Sequence, residues 1–221
     1  MRLSIIIPML NEARALPSTL AALQRCAPNA ELILVDGGSV DRSVAIAKHH
    51  GVSVLTAPPG RAKQMNMGAE QANGDYLLFL HADTLLPDGV EDLIRSALAR
   101  HPWGRFDVAI SGRHFMLNVI GTMMNWRSRL TGIATGDQAL FMRRSAYEAA
   151  GGFPVQELME DIALSQRLKR LGRPACLTQK VLTSGRRWEQ YGVWRTIWLM
   201  WRLRFAYWRG VCPGQLARRY H

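Results

Sequence analysis

The residues with chemical potential sit where apolar runs end. Pro8-Met9-Leu10-Asn11-Glu12 closes the first run, Asp36-Gly37-Gly38-Ser39-Val40-Asp41 the second and His81-Ala82-Asp83-Thr84 the fourth. The third run is followed by Pro58-Pro59-Gly60-Arg61-Ala62-Lys63-Gln64, which adds cations. Carboxylates, glycines and cations together suit a nucleotide that carries a diphosphate. Asp36 can accept hydrogen bonds from a base edge, and Gly37 and Gly38 let the backbone come close. Carboxylates alone repel phosphate, so Asp83 makes sense with a divalent cation as the bridge; Mg²⁺ and Mn²⁺ favour such oxygen ligands. The cation also stabilises a departing diphosphate, and Arg61 can pair with its oxygens.

Glu160-Asp161 stands at the expected start of a helix, where a carboxylate is stabilised as the anion and is ready to act as a general base. Gly136-Asp137-Gln138 is a polar break before an apolar strand. Each cluster has a plainer reading. Asp36 to Ser39 can be a turn with a helix cap, and Asp83 a turn residue. Arg61 and Lys63 can be a solvated helix face, His81 a satisfied buried histidine, and Glu160-Asp161 an acidic first turn. Their common position at strand ends favours the chemical reading, because open α/β sheets bind ligands beyond the carboxyl ends of their strands.

The elements that must hold these groups are legible from periodicity. Residues 3–7, 31–35, 52–56 and 76–80 read as strands. Helical spacing follows each one: after Pro17, over 44–50 with Ser39 or Asp41 as cap, over 62–73, and from Pro87-Asp88 to about residue 100. This βαβαβαβ order predicts a mostly parallel, Rossmann-like sheet with helices on both faces. Residues 106–111 and 139–142 read as further strands and 161–171 as a helix.

The chain has 221 residues, of which 48% are hydrophobic and 20% charged, so it can bury a core and is not disordered as a whole. Its three cysteines form no C-x-x-C pair, which argues against a disulfide framework or a cysteine-rich zinc site and for a reducing compartment. The apolar start reads as a buried strand rather than a signal peptide, and no run of 18 uncharged apolar residues predicts a membrane span. The net charge of +11 is uneven: residues 186–221 hold eight arginines against Glu189, a balance of +7, leaving +4 for the rest.

Taken in order, Pro8-x-x-Asn11-Glu12, Val35-Asp36-Gly37-Gly38-Ser39-x-Asp41, Leu80-His81-Ala82-Asp83-Thr84 and Met159-Glu160-Asp161 resemble the family 2 glycosyltransferases of GT-A fold. Gly60-Arg61-Ala62-x-Gln64-Met65-Asn66-x-Gly68-Ala69, Gly136-Asp137-Gln138-Ala139 and Gly151-Gly152-Phe153-Pro154 resemble more closely a compact bacterial subgroup, the rSAM/selenodomain-associated transferases. The resemblance implies transfer of a sugar from a nucleotide donor, most often UDP-linked, with inversion at the anomeric carbon. It implies that Pro8, Glu12 and Asp36 surround base and ribose, in a donor site completed by Asn11, Gly38, Ser39, Arg61, Gln64, His81, Ala82 and Asp83. It implies Asp83 as ligand of Mn²⁺ or Mg²⁺ and Asp161 as base, with Glu160 as the other choice. It puts Asp137 and Gln138 near the acceptor and Arg186, Arg187 or Trp188 over the diphosphate. The usual Asp-x-Asp reads His81-Ala82-Asp83 here, so the second acid is kept and the first replaced.

Residues 1–190 form the expected catalytic domain, and 191–221 a helical basic and aromatic extension. In that extension Trp194, Ile197, Trp198, Trp201, Phe205 and Trp208 follow helical spacing, and Arg195, Arg202 and Arg209 recur every seven residues. Three readings stand: a helix that packs its aromatic face on the catalytic domain with arginines outward, peripheral membrane contact through 193–209 on anionic lipid, or, least favoured, a nucleic-acid contact. The apolar stretch 115–126 lines an acceptor cleft or, the favoured reading, is core; if both stretches face outward, a lipid-linked or membrane-bound acceptor is expected. A cytoplasmic location, at the inner face of the membrane, is the matching expectation. No G-x-G-x-x-G follows the first strand and no P-loop is present. Asn11-Glu12-Ala13 stands where a nucleotidyltransferase wants a glycine-rich basic loop. A basic membrane or nucleic-acid adaptor on an inactive α/β scaffold is the alternative; nucleic acid is not expected as a partner, and the adaptor requires no convergence of Asp36, Asp83 and Glu160-Asp161.

Overall fold

The computed structural model describes residues 1–220. Its centre is one eight-stranded sheet built from β1 (Leu3–Met9), β2 (Glu31–Asp36), β3 (Ser53–Thr56), β4 (Tyr76–Phe79), β5 (Thr84–Leu85), β6 (Trp103–Ser111), β7 (Leu140–Arg143) and β8 (Ala175–Ser184), in the order β3-β2-β1-β4-β7-β6-β8-β5. The strands β3, β2, β1 and β4 are mutually parallel; β7 runs against β4 and β6, and β5 runs against β8. Since β6 and β8 pair in parallel, only β7 and β5 oppose the common direction.

The sheet is covered on both faces, as continuous apolar strands require. Side chains alternate across β1: Ile5 and Ile7 join one core and Ile6 the other, all with no exposed surface. Helices α1 (Leu16–Cys26), α2 (Ser43–His49) and α4 (Val90–Arg100) contribute to the first core, and α3 (Arg61–Gln71) to the second. α3 lies so close to β1 that a Cβ at Gly68 would run into the Ile6 side chain. Pro17 occupies the first turn of α1 as its spacing predicts, but α4 starts after Gly89, whose φ of 68° turns the chain into the helix.

A buried polar network secures the second half. The Arg105 side chain on β6 is fully buried and pairs with Asp107, which also takes two hydrogen bonds from Arg129 at 2.8 and 2.9 Å. Arg129 belongs to α5 (Met116–Thr131), and Asn125 of the same helix exchanges hydrogen bonds with the backbone N–H and C=O of Val108. α5 is therefore fixed on β6 by polar groups as well as by Leu117 and Ile120.

Strand β8 escapes the sequence reading because its centre, Thr178-Gln179-Lys180, is polar and its pairing with β6 breaks register after Phe106. The chain continues through the short helices α6 (Arg144–Ala149) and α8 (Arg186–Tyr191), with α7 (Glu160–Leu168) between them, and then α9 (Val193–Trp208) and α10 (Pro213–Tyr220). Leu203 and Leu216 of the last two pack with Met159 and Ile162 in a separate small core. Among the described residues no helix is long and apolar enough to cross a membrane.

Candidate active site

Beyond the ends of β1 and β4 lies a cleft of about 560 Å³. Pro8 and Glu12 come to it from β1, Arg61 and Gln64 from α3, and His81, Ala82 and Asp83 from the turn after β4. Asp137 and Glu160-Asp161 form a second wall, and Arg186, Arg187 and Trp188 of α8 cover one side. Asp83 and Glu160-Asp161 thus share one cavity, a convergence the adaptor reading does not require.

The two ends of the cleft differ in chemistry. At one end Arg186 Nη2 lies 3.2 Å from Glu12 Oε1 and 3.8 Å from Asp83 Oδ2, so one guanidinium neutralises two carboxylates from different strand ends. Burial, and then the neighbouring Asp83 charge, push the Glu12 carboxyl above its usual range against the pull of Arg186. At the other end Arg61 Nη1 lies 3.7 Å from Glu160 Oε1. Asp161 accepts the Gly136 N–H at 2.7 Å and the Ile162 N–H at 2.7 Å. Glu160 is 4% exposed, whereas Asp161 keeps an open side toward the cleft.

His81 lines the cleft and also reaches across to the turn before β7. Its Nδ1 is 3.3 Å from Asp137 Oδ1, and the imidazole lies against Gly136, where a Cβ would collide with it. Partial burial works against the charge of Asp137, but the His81 hydrogen bond and the guanidiniums of Arg61 and Arg204 hold its carboxyl below the ordinary range. His81 therefore fastens the 136–138 turn beside the cleft, a positioning role with Asp137 as partner.

Other expected site residues make contacts within the protein. The Asp36 carboxylate accepts the N–H groups of Gly38 and Ser39 at 3.1 Å and so closes the turn after β2, outside the lining of the cleft. Ser39 Oγ accepts the Asn11 N–H, Asn11 Oδ1 accepts the Val40 N–H, and Asp41 accepts the Ala13 N–H. Asn11, Ser39 and Asp41 thus clamp the loop after β1 to the loop after β2, while Gly38 bonds within its own turn. Gln64 spends both amide hydrogens on the carbonyls of Met9 and Val35, at 2.9 and 2.8 Å, and so ties the two strand ends together. Gln138 is fully buried between Thr135 and Asn125 and offers nothing to an acceptor. Arg187 donates to the Tyr220 carbonyl and stacks on the Tyr220 ring at 3.7 Å, which docks α10 over the cleft.

Sequence reasoning missed that α9 and α10 complete the cavity. Thr196, Met200 and Arg204 of α9 and Ala217 and Tyr220 of α10 line it. A trace was present: Arg204 falls outside the seven-residue spacing of Arg195, Arg202 and Arg209, and so projects from another face of the helix. Its charge, after burial, pushes the Arg127 guanidinium down to about 10.

The non-glycine residues with left-handed backbone are Asn11 (φ 56°), Ala139 (φ 47°) and Met159 (φ 65°). Each stands in a turn that feeds the cleft: after β1, after the Gly136–Gln138 turn, and directly before Glu160. Such conformations cost of order 1–3 kcal/mol and persist where the surroundings enforce them, which is typical of functional turns.

Among the described residues no three histidines, cysteines or carboxylates gather as a metal cage. The donor set still suits Mn²⁺ or Mg²⁺, which are commonly held by one or two carboxylates plus the phosphates of a substrate. Asp83 and Glu12, already balanced by one cation, are such a pair.

Glu160 gives a testable consequence of this packing. Burial, and then the neighbouring Asp161, raise its carboxyl above the ordinary 4.5 despite Arg61. A carboxyl raised in the folded state favours folding while protonated, and that contribution is lost as pH rises through the folded value. Glu160→Gln should therefore unfold at the same temperature as the parent at acid pH and at a higher one at neutral pH. Thermal melts across that range check this; equal melts throughout would contradict it.

A sequence model described as "Glycosyl transferase family 2" matches residues 4–149. The poly-beta-1,6-N-acetyl-D-glucosamine synthase of Staphylococcus epidermidis is 27% identical over 220 aligned positions, covering 87% of this chain and 53% of that protein. Among solved structures, S. aureus TarS 1-349 in complex with UDP-GlcNAc superposes with a TM-score of 0.67 at 17% identity, over 83% of this chain and 58% of that one. The mannosyltransferase PcManGT from Pyrobaculum calidifontis, in complex with GDP-Man and Mn2+, gives a TM-score of 0.68 at 20% identity, over 93% and 61%. The chain spans about half the length of the curated relatives it matches.

Proposed function

The chain belongs to glycosyl transferase family 2 and has the GT-A fold, and from that premise we propose that it moves a sugar from a nucleotide-diphosphate donor to an acceptor hydroxyl with inversion at the anomeric carbon. The carrying observation is the single cleft with Asp83, Glu12 and Arg186 at one end and Glu160-Asp161 at the other. The first end suits a diphosphate and the second a hydroxyl that must lose its proton.

In this reading the acceptor oxygen attacks the anomeric carbon from the face opposite the diphosphate. Asp161 takes the hydroxyl proton, and the nucleoside diphosphate leaves with the electrons of the broken carbon–oxygen bond. Asp161 is the base because it keeps an open side toward the cleft and its oxygens are oriented by two backbone N–H groups, while Glu160 is buried against Arg61. Arg186 is displaced from the carboxylates toward the phosphates when a donor enters, and Arg187 and Trp188 stay with the lid formed by α8 and α10. Mn²⁺ or Mg²⁺ would be held by Asp83, with Glu12 beside it, and would supply charge stabilisation to the departing diphosphate. A UDP-sugar is the donor proposed; a UDP-GlcNAc complex of one structural neighbour and a GDP-Man complex with Mn2+ of another mark the two donor classes to compare. Residues 1–190 are read as the catalytic domain and 191–221 as an extension that closes its cleft. The Gly60 to Ala69, Gly136 to Ala139 and Gly151 to Pro154 motifs support a place in the compact bacterial rSAM/selenodomain-associated subgroup; action at the cytoplasmic side on a lipid-linked acceptor is proposed from the outward-facing stretches 115–126 and 193–209.

Thermal unfolding with UDP, GDP, CDP and ADP, each with and without Mn²⁺, tests the donor site. A ligand at a hundred times its dissociation constant adds about 2.7 kcal/mol. One nucleotide should raise the melting temperature, more with Mn²⁺ present, and Asp83→Asn should remove the part that depends on Mn²⁺. Absence of a shift with every nucleotide would sink the reading.

A further inference from the structure

Two helices beside the cleft carry apolar stripes that no part of the described chain covers. On α9, Trp194, Trp198, Trp201, Phe205 and Trp208 are 58–80% exposed and repeat at three- and four-residue steps, so they form one face. On α5, Phe115, Val119, Met123, Trp126 and Leu130 do the same at 42–75% exposure. The helices are neighbours. The Leu117 side chain of α5 lies against Gly185, just before α8, the Arg113 N–H donates to Glu189 of α8, and Arg127 near the end of α5 feels the charge of Arg204 on α9. The aromatics therefore do not pack on the catalytic domain as one reading expected; they face outward together with Arg195, Arg202 and Arg209. The outward face of 115–126 is likewise neither core nor cleft lining.

Charge selects the occupant. Arg195, Arg202 and Arg209 flank the α9 stripe on one side at seven-residue spacing and are exposed. The Arg202 guanidinium lies 4.4 Å over the Trp198 ring and that of Arg209 lies 5.8 Å from the Phe205 ring. Tryptophan bodies at headgroup depth with arginines reaching phosphates are the chemistry of an interfacial helix on anionic lipid. A second copy of the chain would bring the same arginines against each other, which opposes self-association through this face. We propose that the α5–α9 face docks peripherally on an anionic bilayer. α9 then has two working sides: Thr196, Met200 and Arg204 line the cleft while the tryptophans enter the interface, so the cleft opens beside the membrane. A lipid-carried acceptor reaches Asp161 there without leaving the bilayer. The docking stands apart from the donor-site reading, and its test keeps the two separable.

The test is co-sedimentation of the full chain with vesicles of phosphatidylcholine alone or with about 30 mol% phosphatidylglycerol. Sedimentation should require the anionic lipid and weaken in about 1 M salt, where the Debye length is about 3 Å. Trp198→Ala and Trp201→Ala should each reduce partitioning about tenfold, from the apolar surface withdrawn. Trp126→Ala on α5 should reduce it independently. Charge removal at Arg195 and Arg209 should cost about fivefold each on anionic vesicles. All these side chains are exposed, so melting temperatures should stay near the parent value, and the donor-induced shift of the Trp198→Ala, Trp201→Ala double variant should be intact. Failure to sediment with anionic vesicles, or unchanged partitioning of the tryptophan variants, overturns the proposal. A stable dimer by light scattering that the double variant dissolves overturns it in favour of an interface between copies.

Discussion

Asp161→Asn should lower the rate of sugar transfer by about 10²–10⁴, the usual contribution of a positioned proton acceptor, while the donor-induced rise in melting temperature persists. The substitution is nearly isosteric, and the amide oxygen can still accept one of the N–H groups of Gly136 and Ile162 that orient the side chain. The ability to take a proton is removed, together with one of the two orienting hydrogen bonds. Glu160→Gln should cost much less, because Glu160 is 4% exposed and turned to Arg61, so that an acceptor hydroxyl reaches Asp161 first. Turnover of both variants with whichever nucleotide-sugar stabilises the protein checks this. If the larger loss falls on Glu160→Gln, the proton acceptor is Glu160 and the part played by Asp161 is to hold Gly136.

The largest effect on stability should come from a residue that touches no substrate. Asp107→Ala leaves the fully buried Arg105 guanidinium without its carboxylate, and Arg129 loses the same partner. Arg105 Nε already has no hydrogen-bond partner among the described residues, and the contact left to the guanidinium is the neutral Asn125 carbonyl at 3.2 Å. Breaking a buried pair by removing one member costs about 3–5 kcal/mol. For a domain of this size that is a fall of about 2–4 °C in melting temperature per kcal/mol. The double replacement Arg105→Met, Asp107→Leu should recover most of it, since it removes both charges together. Chemical denaturation followed by circular dichroism measures both, and a loss under about 1 kcal/mol in the single variant would show the pair to be solvated. The network matters to the site because Asn125, which holds α5 on β6, also receives the Gln138 amide behind Asp137.

The parallel half of the sheet was readable because its strands are short β-branched and leucine runs separated by helical spacing, and covered strands have few other ways to be written. Glu160-Asp161 was readable for a similar reason: acids in the first turn of an amphipathic helix mark its start. Strand β8 was not, since three polar residues interrupt it and its partner strand is remote in sequence.

The division of labour among the site residues was closed to sequence reasoning. Asp36, Asp83 and Glu12 are all carboxylates at strand ends, yet the first accepts the amides of its own turn while the other two share Arg186 in the cleft. Gln64 follows a Pro- and Gly-rich cationic motif and Gln138 stands in a polar break, yet both are buried staples. Which partner a polar group finds is set by chain segments as much as 174 residues away, as between Arg186 and Glu12. The sequence alone determined the element order, the inventory of acids and cations and the family they resemble, because periodicity and motif spacing are local properties. Only the tertiary structure decided which acids face the cleft, that α9 and α10 wall it, and that the tryptophans point away from the protein, because those depend on which surfaces the rest of the chain leaves uncovered.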